Sequence, residues 1–150
     1  SSIRGIAVSD PALGEVKLSW SAFDEVRFHA PEAEVSYEDF AGGAALKGTV
    51  VTEDGEELTG RVRWDGDEAY AWEPLNGSVH DDVELQIEMS NVARIVREGR
   101  GATVTLRDGR TFELSGSNDV DSGNGGIFVD DGSGERRVRW SDFGELRLER

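Results

Sequence analysis

Hydrophobic and polar positions alternate along most of the chain. Val16, Leu18 and Trp20 are separated by polar residues, as are Val83, Leu85, Ile87 and Met89, then Val104 and Leu106, then Val138 and Trp140. A period of two sends successive side chains to opposite faces of a strand, so these runs predict strands with one buried face. Asp54-Gly55 and Asp108-Gly109 each sit between two such runs. Asp-Gly supplies the positive-φ positions of a tight turn, which predicts two β-hairpins. The period changes over residues 30–45. There Pro31 and Glu32 suit a first helical turn, Val35 or Tyr37 can share a face with Phe40, and Gly42-Gly43 stops the run. This stretch reads as a short helix or an ordered linker.

The alternation repeats at long range. Gly14 to Phe28 returns as Gly134 to Leu148, with seven of fifteen positions identical, among them Trp20/Trp140, Phe23/Phe143 and Glu25/Glu145. Aligning the hairpins extends the repeat. After each comes Leu58-Thr59-Gly60 or Leu114-Ser115-Gly116. An acidic loop follows, Trp64 to Glu68 or Asn118 to Asp121. Then come a short apolar strand (Ala69 to Trp72, or Ile127 to Val129), a longer alternating strand ending in Met89-Ser90 or Trp140-Ser141, and a last strand (Ala93 to Val96, or Glu145 to Leu148). This predicts repeat units at residues 46–98 and 99–150. Gly5 to Val8 matches Gly126 to Val129, so residues 1–29 read as the last three strands of a third unit without its hairpin. The expectation is a cut through a longer repeat protein. Trp20, Trp140, Phe23 and Phe143 are expected in the core, because Met89 and Val92 replace them in the middle unit.

Each unit thus reads as hairpin, loop, two further strands, one helical turn and a fifth strand. That order, with the Asp-Gly hairpin and the Trp140-Ser141-Asp142-Phe143-Gly144-Glu145 junction, resembles the SH3-like and Sm-like small β-barrels. The resemblance implies a fold: an all-β protein of tandem SH3-like small barrels, about two and a half units, with short helical turns only. It carries no functional residue.

Charge narrows the partners. The net charge is −15, from 31 acidic and 16 basic residues, and all but two of the cations (Lys17 and Lys47) are arginine. Such a field repels nucleic-acid phosphates and anionic membrane surfaces. It fits a high-salt setting, where dense carboxylates hold hydration and salt screens their repulsion. No run of 18 apolar residues predicts a membrane span. With no cysteine there is no disulfide framework and no thiolate site. The absence of a signal-like segment, together with the repeat build, favours an extracellular or periplasmic fragment of a larger envelope or secreted protein over a cytoplasmic one.

Candidate chemistry is sparse. The two histidines are His29 and His80; His80 lies near Ser78, Asp81 and Asp82 but without a nucleophile elbow, so no catalytic residue is expected. Metal binding is the best candidate. Asp119 and Asp121 alternate on a Gly-rich loop, Asp130 lies across the next strand, and Asp65-Gly66-Asp67-Glu68 is the equivalent acidic loop. Hard cations such as calcium take oxygen ligands from loops of this kind, although the EF-hand spacing is absent. Tyr70 and Trp72 beside Pro74 form a candidate aromatic patch for a sugar ring or a peptide. The sequence therefore predicts a non-enzymatic binding or scaffolding module with a protein or glycan partner, or else a calcium-dependent or carbohydrate-binding accessory module.

Overall fold

The computed structural model describes residues 5–28, 43–80 and 83–150. The strands are β1 (Ile6–Asp10), β2 (Gly14–Leu18), β3 (Lys47–Thr52), β4 (Glu57–Arg63), β5 (Pro74–His80), β6 (Val83–Glu88), β7 (Val92–Glu98), β8 (Gly101–Leu106), β9 (Thr111–Leu114), β10 (Ile127–Asp130), β11 (Glu135–Val138) and β12 (Phe143–Leu148). Single 3₁₀ turns at Trp20–Ala22, Met89–Asn91 and Trp140–Asp142 occupy the same place in each repeat. A fourth, Asn118–Val120, lies in the acidic loop of the last unit. Both Asp-Gly turns close hairpins, β3–β4 and β8–β9, with Gly55 and Gly109 at φ near +90°. The protein is all-β. The linker or helix expected over residues 30–45 lies almost wholly outside the described residues.

The strands form two open sheets, β1-β2-β6-β5 and β11-β10-β4-β3-β12-β7-β8-β9. Neither repeat closes into a barrel of its own. The reason is that the repeats trade hairpins. The β3–β4 hairpin of the middle unit lies between β10 and β12 of the last unit, with Val62 opposite Val129 and Val50 opposite Leu146. The β8–β9 hairpin of the last unit lies against β7 of the middle unit, with Val104 opposite Ile95. Its far end reaches β5 through reciprocal backbone bonds between Ser78 and Ser115, at 2.8 and 3.0 Å. Counting residues from each Asp-Gly turn, that bridge is the repeat equivalent of the Asp130–Arg61 pair between β10 and β4. Even the bulges correspond, after Phe143 in β12 and after Val92 in β7.

The six strands β4-β3-β12-β7-β8-β9 of the large sheet are accordingly a palindrome about the β12–β7 pair, where Leu146 faces its own equivalent, Ile95. Close approach at the trade is possible because Gly60 has no side chain. A Cβ there would strike the Asp130 carbonyl of β10.

Three further expectations change. Ala69 to Trp72 is a turn rather than a strand, tied to the chain before β3 by Leu46 N–H to Ala69 O (2.8 Å) and Ala71 N–H to Ala44 O (2.9 Å). The equivalent of β10 is instead β5. Pro74, which lacks a donor, sits at its first position, where none is required. Leu58-Thr59-Gly60 and Leu114-Ser115-Gly116 are not equivalent: the turns place Gly60 opposite Gly48 and Leu114 opposite Ala102. The misalignment is two residues, which the pleat cannot reveal because it preserves the buried face. Residues 23–28 form no strand, and Trp20 is exposed rather than in the core.

Burial elsewhere follows the alternation. Val50, Ile95, Val104 and Leu146 line the inner face near the palindrome, and Leu75, Ile87, Met89, Val92 and Leu114 continue it. At the heart of the last unit Trp64, Trp140 and Phe143 pack together. Trp64 meets Phe143 edge-on at 5.2 Å and Trp140 at 6.1 Å, while Trp140 and Phe143 stack at 5.6 Å. Trp64 comes from the middle unit, so this aromatic cluster belongs to both repeats.

Candidate metal centre

The two acidic loops, one from each unit, meet at the end of β4. The first is a tight reversal at Trp64 to Glu68, closed by Trp64 N–H to Glu68 O (2.8 Å), Glu68 N–H to Trp64 O (3.0 Å) and Asp67 N–H to Trp64 O (3.1 Å). Its two central residues both need positive φ: Gly66 at 92° and Asp65 at 50°. Aspartate is among the few side chains that tolerate the left-handed region, so this backbone selects Asp-Gly here, whereas in the hairpins only the glycines, Gly55 and Gly109, take positive φ. Asp65 then reaches into the second loop, accepting bonds from Asn118 Nδ2 and from the Gly125 N–H.

Asp119 anchors the second loop from within. It is buried, and its Oδ2 accepts from the N–H of Asn76 in β5 (2.6 Å) and from Asn76 Nδ2 (2.9 Å). Its carbonyl accepts from Trp64 Nε1 (2.8 Å) and Asn124 Nδ2 (3.1 Å). Asp119 is therefore first a structural residue, joining the last unit's loop to β5 and Trp64 of the middle unit.

What remains is a compact set of carboxylates. Ligand oxygens of Asp65, Asp67 and Glu68 all lie within 4.8 Å of one another. Glu68 Oε2 is buried and has no hydrogen-bond partner among the described residues. Burial pushes the Glu68 carboxyl up to about 8, and the charges of Asp119 and Asp67 push the same way. Burial also raises Asp65, against the bonds from Gly125 and Asn118. Asp119 is raised by burial despite its Asn76 bonds.

Of the sequence-predicted ligands, Asp119 borders this cluster and Asp121 acts on it through its charge at Asp65, while its Oδ1 accepts the Gly123 N–H (2.7 Å). Asp130 does not join. It lies in β10, where its Oδ1 accepts the Gly132 N–H (2.9 Å). Tyr70 and Trp72 are both nearly half exposed on the turn that follows Glu68. His80 ends β5, exposed. Asp67 and Glu68 were visible in sequence as an acidic loop. Their meeting with the second loop was not, because it depends on which strand of which repeat lies beside β4.

The chain matches no protein-family model, and neither curated proteins nor solved structures give a match. Among the described residues, no helix is long and apolar enough to cross a membrane. The chemistry of the junction must therefore be read from its own groups.

Without a cation the junction has a pH signature. The unfolded Glu68 carboxyl releases its proton near pH 4.5, whereas the folded one holds it to about 8. The folded state thus binds the extra proton in this window, and stability is lost as pH rises through it. Carboxylates held below their ordinary range, such as Glu145 beside Arg94 or Asp10 beneath the Ala12 and Leu13 N–H groups, act oppositely at acid pH. The melting temperature in chelator is expected to peak near pH 5 and fall toward pH 9. The loss is about 2 kcal/mol after discounting for solvent screening of a half-buried group. In Glu68→Gln the fall should flatten. A variant with the wild-type slope would show that Glu68 does not carry it.

Proposed function

We propose that the protein is a non-enzymatic binding or scaffolding module of β-repeats whose acidic junction takes a divalent cation of the calcium type. The observation that carries the cation is Glu68 Oε2, a buried carboxylate oxygen with no partner among the described residues, on a side chain whose ligand oxygen lies within 4.8 Å of those of Asp65 and Asp67. A buried, unpaired carboxylate is costly unless it is protonated or paired with a cation. A hard divalent ion neutralises the cluster and draws its oxygens together. Because those oxygens come from turns and Asp65 is bonded to the other repeat, the ion would also clamp the two units. Sites of this sort in extracellular modules bind at about 10⁻⁴–10⁻³ M, which accords with a protein of the cell exterior.

The scaffolding half of the reading rests on the exchange itself. The order β12-β3-β4-β10-β11 is that of strands five, one, two, three and four of a five-stranded SH3-like unit, with the first two supplied by the neighbouring repeat. Interlocked repeats of this kind build rigid surfaces.

Calorimetry at neutral pH should register calcium binding. The melting temperature should rise with calcium and fall back in chelator, by the linkage of ligand to the folded state, about 2.7 kcal/mol at a hundredfold excess over the dissociation constant. Asp67→Asn and Glu68→Gln should each abolish the shift. No heat and no stabilisation with wild type would end the cation reading.

A further inference from the structure

In both complete repeats a traded hairpin fills the space between the third and fifth strands. The β3–β4 hairpin lies between β10 and β12, and the β8–β9 hairpin runs from β7 to the Ser78 end of β5. The N-terminal half unit has the same two flanks. β1 is the equivalent of β5 and β10, since Ile6 faces Leu18 as Leu75 faces Ile87 and Ile127 faces Val138. Residues 23–28 are the equivalent of β7 and β12. Among the described residues nothing lies between them.

The apolar positions that a hairpin covers elsewhere are open here. Trp20 is 55% exposed where Trp140 is 7%. Val26 is 46% exposed and Phe28 92%, where Leu146 is 0% and Leu148 9%. Val8 on β1 is exposed where Val129 is buried. The half unit is nonetheless held in place. β2 pairs with β6, Leu13 is buried, Asn91 Nδ2 donates to Pro11 O (3.2 Å) and Arg110 bridges to Asp10 (3.3 Å).

We propose that this surface is a docking site for the Asp-Gly hairpin of a further repeat unit of the same kind, inserted between β1 and residues 23–28 as β3–β4 is inserted between β10 and β12. The interface continues one already present twice in the fold. Its chemistry is specified by the equivalents: backbone pairing along β1, an apolar strand residue in the place of Val50 against Val26, and a carboxylate in the place of Glu57. Arg147 binds Glu57 at 3.0 Å across β12 and the traded hairpin as well as Glu145 on its own strand at 3.1 Å; its equivalent Arg27 has the same-strand pair, with Glu25 at 2.8 Å, but no cross-strand carboxylate among the described residues. A second copy of this chain is not the occupant, because its β3–β4 hairpin is already held between β10 and β12, and its β8–β9 hairpin pairs with β7 and is tied to β5 by the Ser78–Ser115 bridge.

The β11 edge does not compete, and the β5 and β9 edges are joined to each other through Ser78 and Ser115. β11 carries Arg136 where its equivalents in the β2–β6 pair carry Val16 and Leu85, which face each other. An edge that places a cation at that position resists further pairing, so β11 caps the array while β1 is the end that extends.

The inference deepens the scaffolding reading and does not depend on the cation. The test uses a synthetic peptide of residues 46–63, labelled for anisotropy, added to the full chain in chelator. Saturable binding is expected, with a blue shift of tryptophan emission that is lost in Trp20→Phe. Val26→Lys, at an exposed position, should weaken binding by roughly tenfold or more without changing the unliganded melt. Fusing the same peptide ahead of residue 1 through a flexible linker should raise the melting temperature in wild type but not in Val26→Lys. No binding at about 1 mM peptide together with no stabilisation by the fusion would overturn the proposal. So would sedimentation that showed the chain alone dimerising through the same surface, with Val26→Lys abolishing the dimer.

Discussion

Trp64→Ala is expected to produce the largest loss of stability of any single truncation in this chain. Trp64 is fully buried and touches both Trp140 and Phe143 edge-on, so alanine leaves a large cavity among rings that cannot collapse into it. Core tryptophan truncations cost about 3–5 kcal/mol, and here the indole Nε1 bond to the Asp119 carbonyl goes as well. Since Trp64 belongs to one repeat and its ring partners to the other, both units should lose stability together. Urea unfolding is expected to keep a single transition at a much lower midpoint. Trp64→Phe separates the contributions. It retains most of the packing and removes only the bond, which calls for a loss of about 1–2 kcal/mol. A loss below about 1 kcal/mol in Trp64→Ala would contradict the shared aromatic core.

The second large effect is a contrast. Trp20 and Trp140 are the same position in the repeat, each opening a 3₁₀ turn whose third residue is followed by phenylalanine. Trp140→Ala should cost about 3–4 kcal/mol, because Trp140 closes the cluster over Phe143. Trp20→Ala should stay within about 0.5 kcal/mol, since its ring is mostly in water and its stacking on Phe23 at 5.1 Å is an exposed contact. Parallel melts of the two variants decide the matter. Equal losses would mean that residues 20–28 already pack as their equivalents do.

That pair also shows where sequence reasoning stops. The repeat correctly matched Trp20 with Trp140, and chemistry alone could not say that one is covered and the other bare. Coverage depends on a hairpin from elsewhere in the chain. Local features were legible: both Asp-Gly turns, the strand periods, and the 3₁₀ turn after Glu88 and Arg139. Each is decided by neighbours within a few residues. The exchange of hairpins was not legible, because β4 and β9 present the same alternation and either could lie against β10. Asp119 was singled out for its carboxylate. Its main work in the structure is accepting the Asn76 donors and, through its carbonyl, the Trp64 indole, contacts to residues more than forty positions away. The acidic loop at Asp65 to Glu68 was recognised as the equivalent of Asn118 to Asp121, but equivalence does not imply contact. The two loops meet only because the repeats are interlocked.

The hairpin trade has a consequence for biosynthesis. β3 finds its outer neighbour in β12, roughly a hundred residues further along, and β4 waits roughly seventy residues for β10. While the ribosome is still making the last repeat, β3–β4 can form locally but has no flanking strands, and its edges stand open. Completion must therefore come late, after β12 has left the exit tunnel. A nascent chain arrested before β10 should remain protease-sensitive throughout the middle repeat.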